Sequence, residues 1–585
     1  MIVKMQRVAV LCTASSEKET LEALQSIGVL HLDADARAEA PELKESQASL
    51  DAAEKALSIV QGLQKEECEG AVPAVVTPEA ILELSSKISA TEGEIAALEK
   101  TIDRYLPFGN FSPADFKALQ DSGLVLRLFR APAEAVPEAS GAIVKVLSED
   151  IKAKAVCGVA IGDVAFADSV EVIPVPEKSL VEMRDELAAL DAKAEGLRQE
   201  IACFASCGET IRKFVADRTT VRDFAAAQCG MGADGGVKWL TGYIPEEKLD
   251  KLREEAAVHG WGVAAREPND DEEPPTLIKP PKLFKPIVAL FDMLGIAPGY
   301  READVSVVFY AFFTIFFAML VGDAGYGALI LALTVFMRLK FKKAPSAPFT
   351  LLTVFSLATI VWGVLTATYF GIVPEALPAC LRFKSAAWLG NQSNIMQLCF
   401  FLGAVHLSVA RLWNAIELFP SKKFLAQLGW LGIIWTMYCV ACLIVVEGFA
   451  FPGYITYVAI VSTILIACFM LDKSELKTNG AELGMLPLNI ISGLGDIISY
   501  VRLFAVGLSS VQVAQIFNQI ALDLKLPLLV KIPCVLLILL LGHGINLVMG
   551  ALSILVHAVR LNTLEFSNHK GISWAGYSYR PFRKQ

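Results

Sequence analysis

Charge is scarce in this sequence. Charged residues make up 19% of its 585 residues and hydrophobic residues 54%, where a soluble protein carries roughly 25% and 45–50%. Mean hydropathy is +0.49. That balance excludes a disordered chain, a fibrous protein and an ordinary soluble enzyme, and it calls for a membrane. Histidine is also scarce, at six residues, and neither HExxH nor a Cys/His metal spacing occurs. No GxxxxGK[ST] run is present, so hydrolysis of ATP through a P-loop is not expected. No Ser/His/Asp arrangement is identifiable, and nothing calls for a cofactor. There is no basic patch with interleaved aromatics, so nucleic acid is not an expected partner. The twelve cysteines are scattered and form no disulfide framework. Cys439 and Cys442 make the only CxxC, inside an apolar run where small thiols pack helices. The first residues lack a signal-peptide cleavage pattern and read as the start of a domain.

What charge there is divides the chain. Residues 1–300 carry 32 Lys+Arg against 50 Asp+Glu, and residues 301–585 carry 20 against 12. An acidic half joined to a weakly basic, apolar half implies two bodies in two solvents. In the acidic half, residues 2–11 are β-prone, and Ser16-Glu17-Lys18-Glu19 reads as a capping box opening a helix to Ile27. Gly28 stops that helix before a second strand at Val29–Asp33. A β-rich stretch covers 124–176. A third unit, VKWLTGYIP at 237–245 followed by the helix Glu246–Val258, completes two small α/β lobes.

Long helices join the lobes. Ile81, Leu84, Ile88, Thr91, Ile95, Leu98 and Ile102 follow 3-4 spacing, as do Leu180, Met183, Leu187, Leu190, Ala194, Leu197, Ile201 and Phe204. Each stripe is an a/d coiled-coil seam. Thr77-Pro78 caps the first helix and Ser179 with Glu182 the second. Helices over 41–64 and 179–224 would be ~36 Å and ~69 Å long at 1.5 Å per residue. A bundle core would give the same stripes, but their separation by β units favours a rod. Residues 266–286 hold six prolines and an acidic run, which bars a helix or central strand. The expected domains are therefore an arm at 1–265, an acidic Pro-rich linker at 266–300 and a membrane domain at 301–585.

The membrane domain reads as eight spans. Residues 305–338 divide at Gly322-Asp323-Ala324-Gly325-Tyr326-Gly327 into two. The others are 350–372, 394–418, 426–447, 453–471, 486–520 and 527–562. The Lys/Arg bias places both termini inside. Inside connections carry Arg338, Lys340, Lys342, Lys343, Lys422, Lys423, Lys473 and Lys477, with Arg580, Arg583 and Lys584 in the tail. Outside connections carry Arg382, Lys384, Lys525 and Lys531. The last two spans, ~51 Å and ~53 Å of helix, exceed ~30 Å of hydrocarbon and predict steep tilt.

Polar residues within these spans are the candidate site. Arg502 sits mid-span, where a guanidinium cannot shed its charge and costs at least ~2.5–3.5 kcal/mol. A structural ion pair or snorkelling is the alternative, although the span is long on both sides of it. Ser499, Ser509, Ser510, Gln512, Gln515 and Gln519 add polar groups to the same span. In the eighth span His543, Asn546, Gly550, Ser553, His557 and Arg560 repeat at 3-4 spacing and fall on one α-helical face. That seam is a hydrated path or, more plainly, helix-to-helix hydrogen bonding. Glu565 follows Arg560 by five residues. His406, Arg411, Glu417 and Glu447 are weaker signals near span ends. Asp323, among Gly322, Gly325 and Gly327, reads as a structural turn capping the second span. No metal site is expected.

These residues resemble a known family. Glu273-Pro274-Pro275-Thr276, the turn at 322–327, Ser499-Tyr500-Val501-Arg502-Leu503, and His557-Ala558-Val559-Arg560-Leu561 with Glu565-Phe566 are similar to motifs of subunit I of V/A-type rotary ATPases, the counterpart of subunit a in eukaryotic V-ATPases. The resemblance implies a fold of N-terminal cytoplasmic α/β lobes joined by long coiled-coil helices. An all-α polytopic domain of eight helices follows, ending in two long tilted helices. It implies that Arg502 faces a rotating ring of proteolipid subunits, with Arg560, Glu565 and His557 in ion translocation and His543, Asn546, Ser553, Ser499, Ser509 and Gln512 lining the channel. The implied partners are the ring (c/K), peripheral stalk subunits of E and G type, a central-stalk socket subunit of d/C type, and the bilayer. The implied location is the cell (inner) membrane, multi-pass, with the arm and C-terminus cytoplasmic. The chain departs from eukaryotic members in having Gly550 and Ser510 where they carry an acidic residue and a histidine. It also has Asp304-Val305 where the family has Asp-Pro. A secondary transporter or channel with a regulatory domain, and a membrane-anchored scaffold, are alternatives. No internal repeat supports the first, and Arg502 has no use in the second.

Overall fold

The computed structural model describes residues 2–33, 40–63, 76–110, 112–132, 143–150, 155–162, 169–342, 344–372, 377–378, 388–471 and 481–584. Lys343, Arg382, Lys384, Lys473 and Lys477 of the charge-bias argument lie outside these residues.

The chain begins with β1 (Met5–Thr13), α1 (Glu17–Ile27) and β2 (His31–Leu32). Gly28 ends α1 in the left-handed conformation, φ 62°, which a residue without Cβ adopts at no steric cost. The capping box expected at Ser16 is absent. A 3-10 turn at Ala14–Ser16 leaves Ser16 at φ −102°, ψ 12°, outside the extended conformation an N-cap needs. Its hydroxyl instead donates to the Thr13 carbonyl at 3.2 Å.

Next come α2 (Pro41–Gly62), α3 (Pro78–Tyr105), α4 (Pro113–Asp121), β3 (Leu126–Pro132), β4 (Ile143–Asp150), β5 (Ala155–Ile161), β6 (Glu171–Ile173), α5 (Leu180–Ala202) and α6 (Gly208–Gly230). The sheet has order β4-β5-β3-β6 with antiparallel neighbours. Strand alternation covers both faces: Leu128 packs with Ile102, Tyr105, Leu180 and Met183, whereas Phe129 packs with Ala131 and Ala160.

The end of α3 thus meets the start of α5. Ile81 and Leu84 at the other end meet Ile201 and Phe204, so the two seams pair antiparallel. Every position of both stripes is buried or half-buried. Thr77 accepts from the Ala80 amide, and Ser179 with Glu182 forms a complete capping box. The single helix expected over 179–224 differs: a 3-10 tract at Cys203–Cys207 interrupts it, and α6 continues against α2. That tract buries Cys203, Phe204, Ala205 and Cys207, a compact apolar plug without a charged residue.

β7 (Gly232–Asp234), β8 (Val237–Pro245), α7 (Leu249–His259) and β9 (Gly262–Arg266) follow. The second sheet has order β2-β8-β1-β9, with β7 on β8. The first and third units read from sequence therefore interleave in one sheet, a split β-α-β pattern. The described chain forms two compact units, one of 9–241, 256–263 and 582–585, the other of 1–8, 242–255 and 264–581.

Within the second unit, residues 266–286 form neither α-helix nor central strand, but they are packed. Pro274, Pro275 and Thr276 are buried, and the Thr276 hydroxyl donates to Pro298 O at 2.8 Å. Glu272 pairs with Arg266 and Arg7. Arg266, against the cost of burial and helped by the Asn269 amide and Arg7, holds its carboxyl down at about 2.

Then come α8 (Ile287–Leu294), α9 (Ser306–Val321), α10 (Ala324–Lys340), α11 (Ser346–Thr366), α12 (Gln392–Leu418), α13 (Lys423–Val445), α14 (Tyr454–Phe469), α15 (Ala481–Ile498), α16 (Val501–Leu522), α17 (Leu528–Ser553) and α18 (Ser567–Lys570). Among the described residues five helices are long and apolar enough to cross a membrane, or six if the α9–α10 pair, bent by 117°, is one span. α14 is apolar but 16 residues long. α15 and α16 run almost continuously as Leu483–Leu522, and α17 continues to Lys570, giving 40 and 43 residues, roughly 60 Å and 64 Å at 1.5 Å per residue. Both exceed the lengths read from the apolar runs, because the helices continue beyond the hydrophobic stretch. Aromatic residues of α9 (Phe309, Phe313, Phe316) pack with Phe355, Phe400 and Tyr500 in the core of this unit.

Candidate functional site

The turn between α9 and α10 is built around one carboxylate. Gly322 takes the left-handed conformation, φ 69°. Asp323, 1% exposed, accepts from the amides of Gly325 (2.7 Å), Tyr326 (3.3 Å), Phe370 (2.8 Å) and Gly371 (2.9 Å). It caps α10 and ties the segment after α11 to the bend, so four backbone donors satisfy its charge. A Cβ on Gly325 would fall 2.4 Å from the Phe370 ring, and one on Gly327 would fall 3.0 Å from Ile360. Close packing explains both glycines.

Tyr326, which the turn positions, reaches the eighth-span seam. Its hydroxyl lies 2.6 Å from His543 Nδ1 and accepts from Asn546 Nδ2 at 3.0 Å. Asn546, 4% exposed, also donates to Ser510 O at 2.8 Å and accepts from Ser510 Oγ at 3.1 Å. These bonds clasp α10, α16 and α17 together. A cavity of about 550 Å³ adjoins the clasp, lined chiefly by Leu290, Phe313, Phe317, Leu351 and Ile554. Ser553 is half-buried, whereas Ser509 and Gln512 are exposed on α16. The Ser509 hydroxyl donates to Val506 O at 2.9 Å.

The one-face expectation for the seam assumes α-helix throughout. The helix is α only to Ser553, and π tracts follow at Ile554–Ala558 and Leu561–Phe566. The wider π turn shifts His557 and Arg560 out of α register with Asn546. It also brings residues five apart onto one side, since its hydrogen bonds run i to i+5. Arg560 Nε lies 3.5 Å from Glu565 Oε1, and Arg502 Nη1 lies 3.8 Å from the same oxygen.

Arg502 enters from α16, two residues after the Ser499–Tyr500 break between α15 and α16. Its Nη2 donates to Ser499 Oγ at 3.4 Å, while the Ser499 hydroxyl donates to Gly495 O at 2.9 Å. His557 is within electrostatic reach of both arginines. Glu565 is 5% exposed at its side chain, Arg502 26% and Arg560 50%. Among the described residues, Arg502 Nη1, Glu565 Oε2 and His557 Nδ1 make no hydrogen bond although buried.

Behind this cluster stands an aromatic wall. Tyr500 OH lies 2.8 Å from His406 Nδ1, and the His406 ring stacks on Phe312 and Phe566. Gly403 admits Tyr500, because a Cβ there would fall 2.6 Å from its ring. Tyr326 and Tyr500 both lay inside quoted motifs without an assigned role.

A second polar cluster joins two of the weaker sequence signals, Arg411 and Glu417, to Asp496, His569 and Lys570, which the sequence left unread. Arg411 Nε donates to His569 Nδ1 at 3.1 Å, His569 Nε2 lies 3.0 Å from Asp496 Oδ2, and Lys570 pairs with Glu417 at 2.6 Å. Asp496 and His569 sit six residues before Arg502 and four after Glu565, so proximity to the motifs was the available signal.

No family model matches the chain. It is 28% identical over its full length to V-type ATP synthase subunit I of Borreliella burgdorferi and 29% identical to V-type ATP synthase subunit I 1 of Treponema pallidum, covering all of both proteins. It is 26% identical to A-type ATP synthase subunit I of Archaeoglobus fulgidus, over 59% of this chain and 58% of that one. A crystal structure of the cytoplasmic N-terminal domain of subunit I, homolog of subunit a, of V-ATPase aligns over 45% of this chain and all of its own, at 21% identity and a TM-score of 0.21. The full-length relatives bear out the family resemblance read from the motifs.

Proposed function

We propose that the chain is the membrane stator subunit of a V/A-type rotary ATPase, supplying the ion half-channels and the arginine that faces a ring of proteolipid subunits. The observation that carries this reading is the Arg502–Glu565–Arg560 cluster, where the midpoint of one very long apolar helix meets the last quarter of another. One guanidinium there has a single long hydrogen bond and an unbonded buried nitrogen. An arginine kept in that state is held for a partner outside the chain.

Each ring subunit would carry a carboxylate that is neutral, by H⁺ or Na⁺, while facing lipid. Beside Arg502 the ionised form becomes favourable, because an opposite charge stabilises it. The same fixed cation bars direct passage between the half-channels, so an ion must ride the ring. Translocation is thereby coupled to ATP hydrolysis or synthesis on other subunits. Arg560, Glu565 and His557 hold and tune this contact. His543, Asn546, Ser553, Ser499, Ser509 and Gln512 are the channel-side candidates.

The domains in this reading are the arm at 1–265, the linker at 266–300 and the eight-span domain at 301–585, with arm and C-terminus cytoplasmic in the cell membrane. The arm binds peripheral stalk subunits of E and G type, and the socket subunit of d/C type lies at the central stalk. Mild-detergent purification of the chain from membranes tests the reading. Ring, stalk and nucleotide-binding subunits should copurify, and isolation of the chain alone would refute it.

A further inference from the structure

The cluster of Arg411, His569 and Asp496 lines a cavity of about 480 Å³, together with Lys423, Gln427 and Asn568. The cavity lies between α12, α13, α15 and α18 and carries polar groups from each. It sits at the end of the helices that holds the α12–α13 connection and the C-terminal segment, the side the Lys/Arg bias places in the cytoplasm.

The hydrogen bonds fix its chemistry. An arginine Nε only donates, so His569 Nδ1 carries no proton and its Nε2 proton points at Asp496. Arg411 is held on its other side by Gln427 Oε1 at 3.2 Å and by the Trp430 ring, 5.0 Å from its centroid. Asn414 fixes His569 by donating to its carbonyl at 2.9 Å. Arg411 and His569 are thus committed within the chain, whereas Asp496 stands at the cavity wall with its side chain 26% exposed. It precedes Arg502 by six residues on the same long helix, roughly 9 Å along the axis. The charged groups facing it are Arg411 from α12, Lys423 from α13, His569 from α18 and Glu565 from the π tract.

We infer that Asp496 is the carboxylate through which the transported cation exchanges with cytoplasmic water, that the cavity is its aqueous vestibule, and that His569 and Arg411 are positioning residues. The inference rests on the stator reading. On uptake an O–H bond forms at Asp496 as a vestibule hydronium becomes water, and on release the reverse occurs. With Na⁺ as the coupling ion, the carboxylate is a transient ligand.

Asp496→Asn, Asp496→Ala and Asp496→Glu, made in the whole complex, test it. Asparagine still accepts from His569 Nε2 and so preserves an anchor. ATP-driven uptake is measured in membrane vesicles against pH and against Na⁺, at matched complex content. Asp496→Asn should assemble normally yet lose ~100-fold or more in uptake, the order that a positioned proton carrier contributes. Asp496→Glu should restore uptake with a displaced pH or Na⁺ profile. Wild-type uptake and profile in Asp496→Asn, with only Asp496→Ala impaired, would make the triad an anchor and overturn the inference.

Arg502→Ala serves as the control. If it too pumps, the stator reading itself falls. If it is inactive while Asp496→Asn is normal, only this inference falls. Should Asp496→Asn not assemble, Ser492→Cys decides: a membrane-impermeant thiol reagent applied from the cytoplasmic side must modify it beyond the parent chain's background, and protection would refute the vestibule.

Discussion

Replacing Arg502 by alanine separates what the residue does for the fold from what it does for transport. On the folding side its contacts are loose: one hydrogen bond at 3.4 Å to Ser499 and one ion pair at 3.8 Å to Glu565. Removing them does not orphan Glu565, which keeps Arg560 at 3.5 Å. Contacts that long lie at or beyond the limit of hydrogen-bond geometry and contribute little, and removing the guanidinium also removes its desolvation cost. Assembly should therefore be close to normal. On the transport side, a unit charge ~4 Å from a ring carboxylate stabilises its ionised form by about 4 kcal/mol at an effective dielectric constant near 20. That is ~10³ in the population of the transporting state, at 1.4 kcal/mol per decade. Arg502→Ala should abolish measurable coupled uptake, and Arg502→Lys should lose most of it, since lysine lacks the planar fork and can deprotonate when desolvated. The assay is ATP-driven ion uptake and ATP hydrolysis in vesicles with complex content matched by immunoblot. Near wild-type uptake by Arg502→Ala would refute the role of this residue, and loss of the assembled complex would refute the estimate of its structural cost.

Four further outcomes are expected. A thiol introduced at Ser421 should react only from the cytoplasmic side and one at Asn391 only from outside, and the reverse pattern would sink the orientation drawn from the Lys/Arg bias. Asn546→Leu breaks the clasp with Tyr326 and Ser510 and should destabilise the complex by ~1–3 kcal/mol for each buried group left unpaired, read as a lower Tm. Ser553→Leu should spare the Tm but slow ion flow, and unchanged flow would assign the seam to packing alone. Glu272→Gln should alter acid stability in one window. The native carboxyl titrates at about 2 and the unfolded one near ~4.3, so its contribution is whole above that range and lost as pH falls towards 2. The variant's stability should be flatter between those limits, and an identical acid profile would refute the Arg266–Glu272–Arg7 contact.

The sequence made the arm legible because its signals are local. The 3-4 stripes over Ile81–Ile102 and Leu180–Phe204 report a seam whichever partner covers them, and the Ser179–Glu182 box depends only on three-residue spacing. Ser16 shows the limit: the same pattern fails when the preceding turn tightens to 3-10 geometry. Sheet order was not legible, because placing β8 between β2 and β1 joins segments about two hundred residues apart. In the membrane domain, residue type marked Arg502 on cost alone, and the 3-4 seam marked Arg560. Their meeting at Glu565 was hidden, because an α-helical projection sets Arg560 and Glu565 about 140° apart at 100° per residue. The π tract changes that angle, and nothing in HAVRLNTLEF announces it. Asp496 and His569 escaped notice for another reason. Each is unremarkable alone, and only the fold brings them to Arg411.

A charge account ties the two clusters to one mechanism. Arg502 and Arg560 bring two positive charges to a single carboxylate, Glu565, leaving the group one charge positive at the midpoint of the long α15–α16 helix. A net charge at that depth costs at least ~2.5–3.5 kcal/mol for arginine, a penalty a self-sufficient membrane protein would remove with a second acid. Arg411 and Asp496 do balance, bridged through a neutral His569, so that cluster needs no outside charge and can face water. The uncompensated cluster is complete only against an external anion, and the compensated one carries its own exchangeable acid. Supplying a second carboxylate to the first cluster should therefore inactivate without unfolding. Val556→Asp, an exposed position four residues before Arg560, would offer the cluster an internal acid in place of the ring's. The expected result is an assembled complex that hydrolyses ATP poorly and does not pump. If Val556→Asp pumped normally while fully assembled, the deficit of negative charge would have no functional meaning.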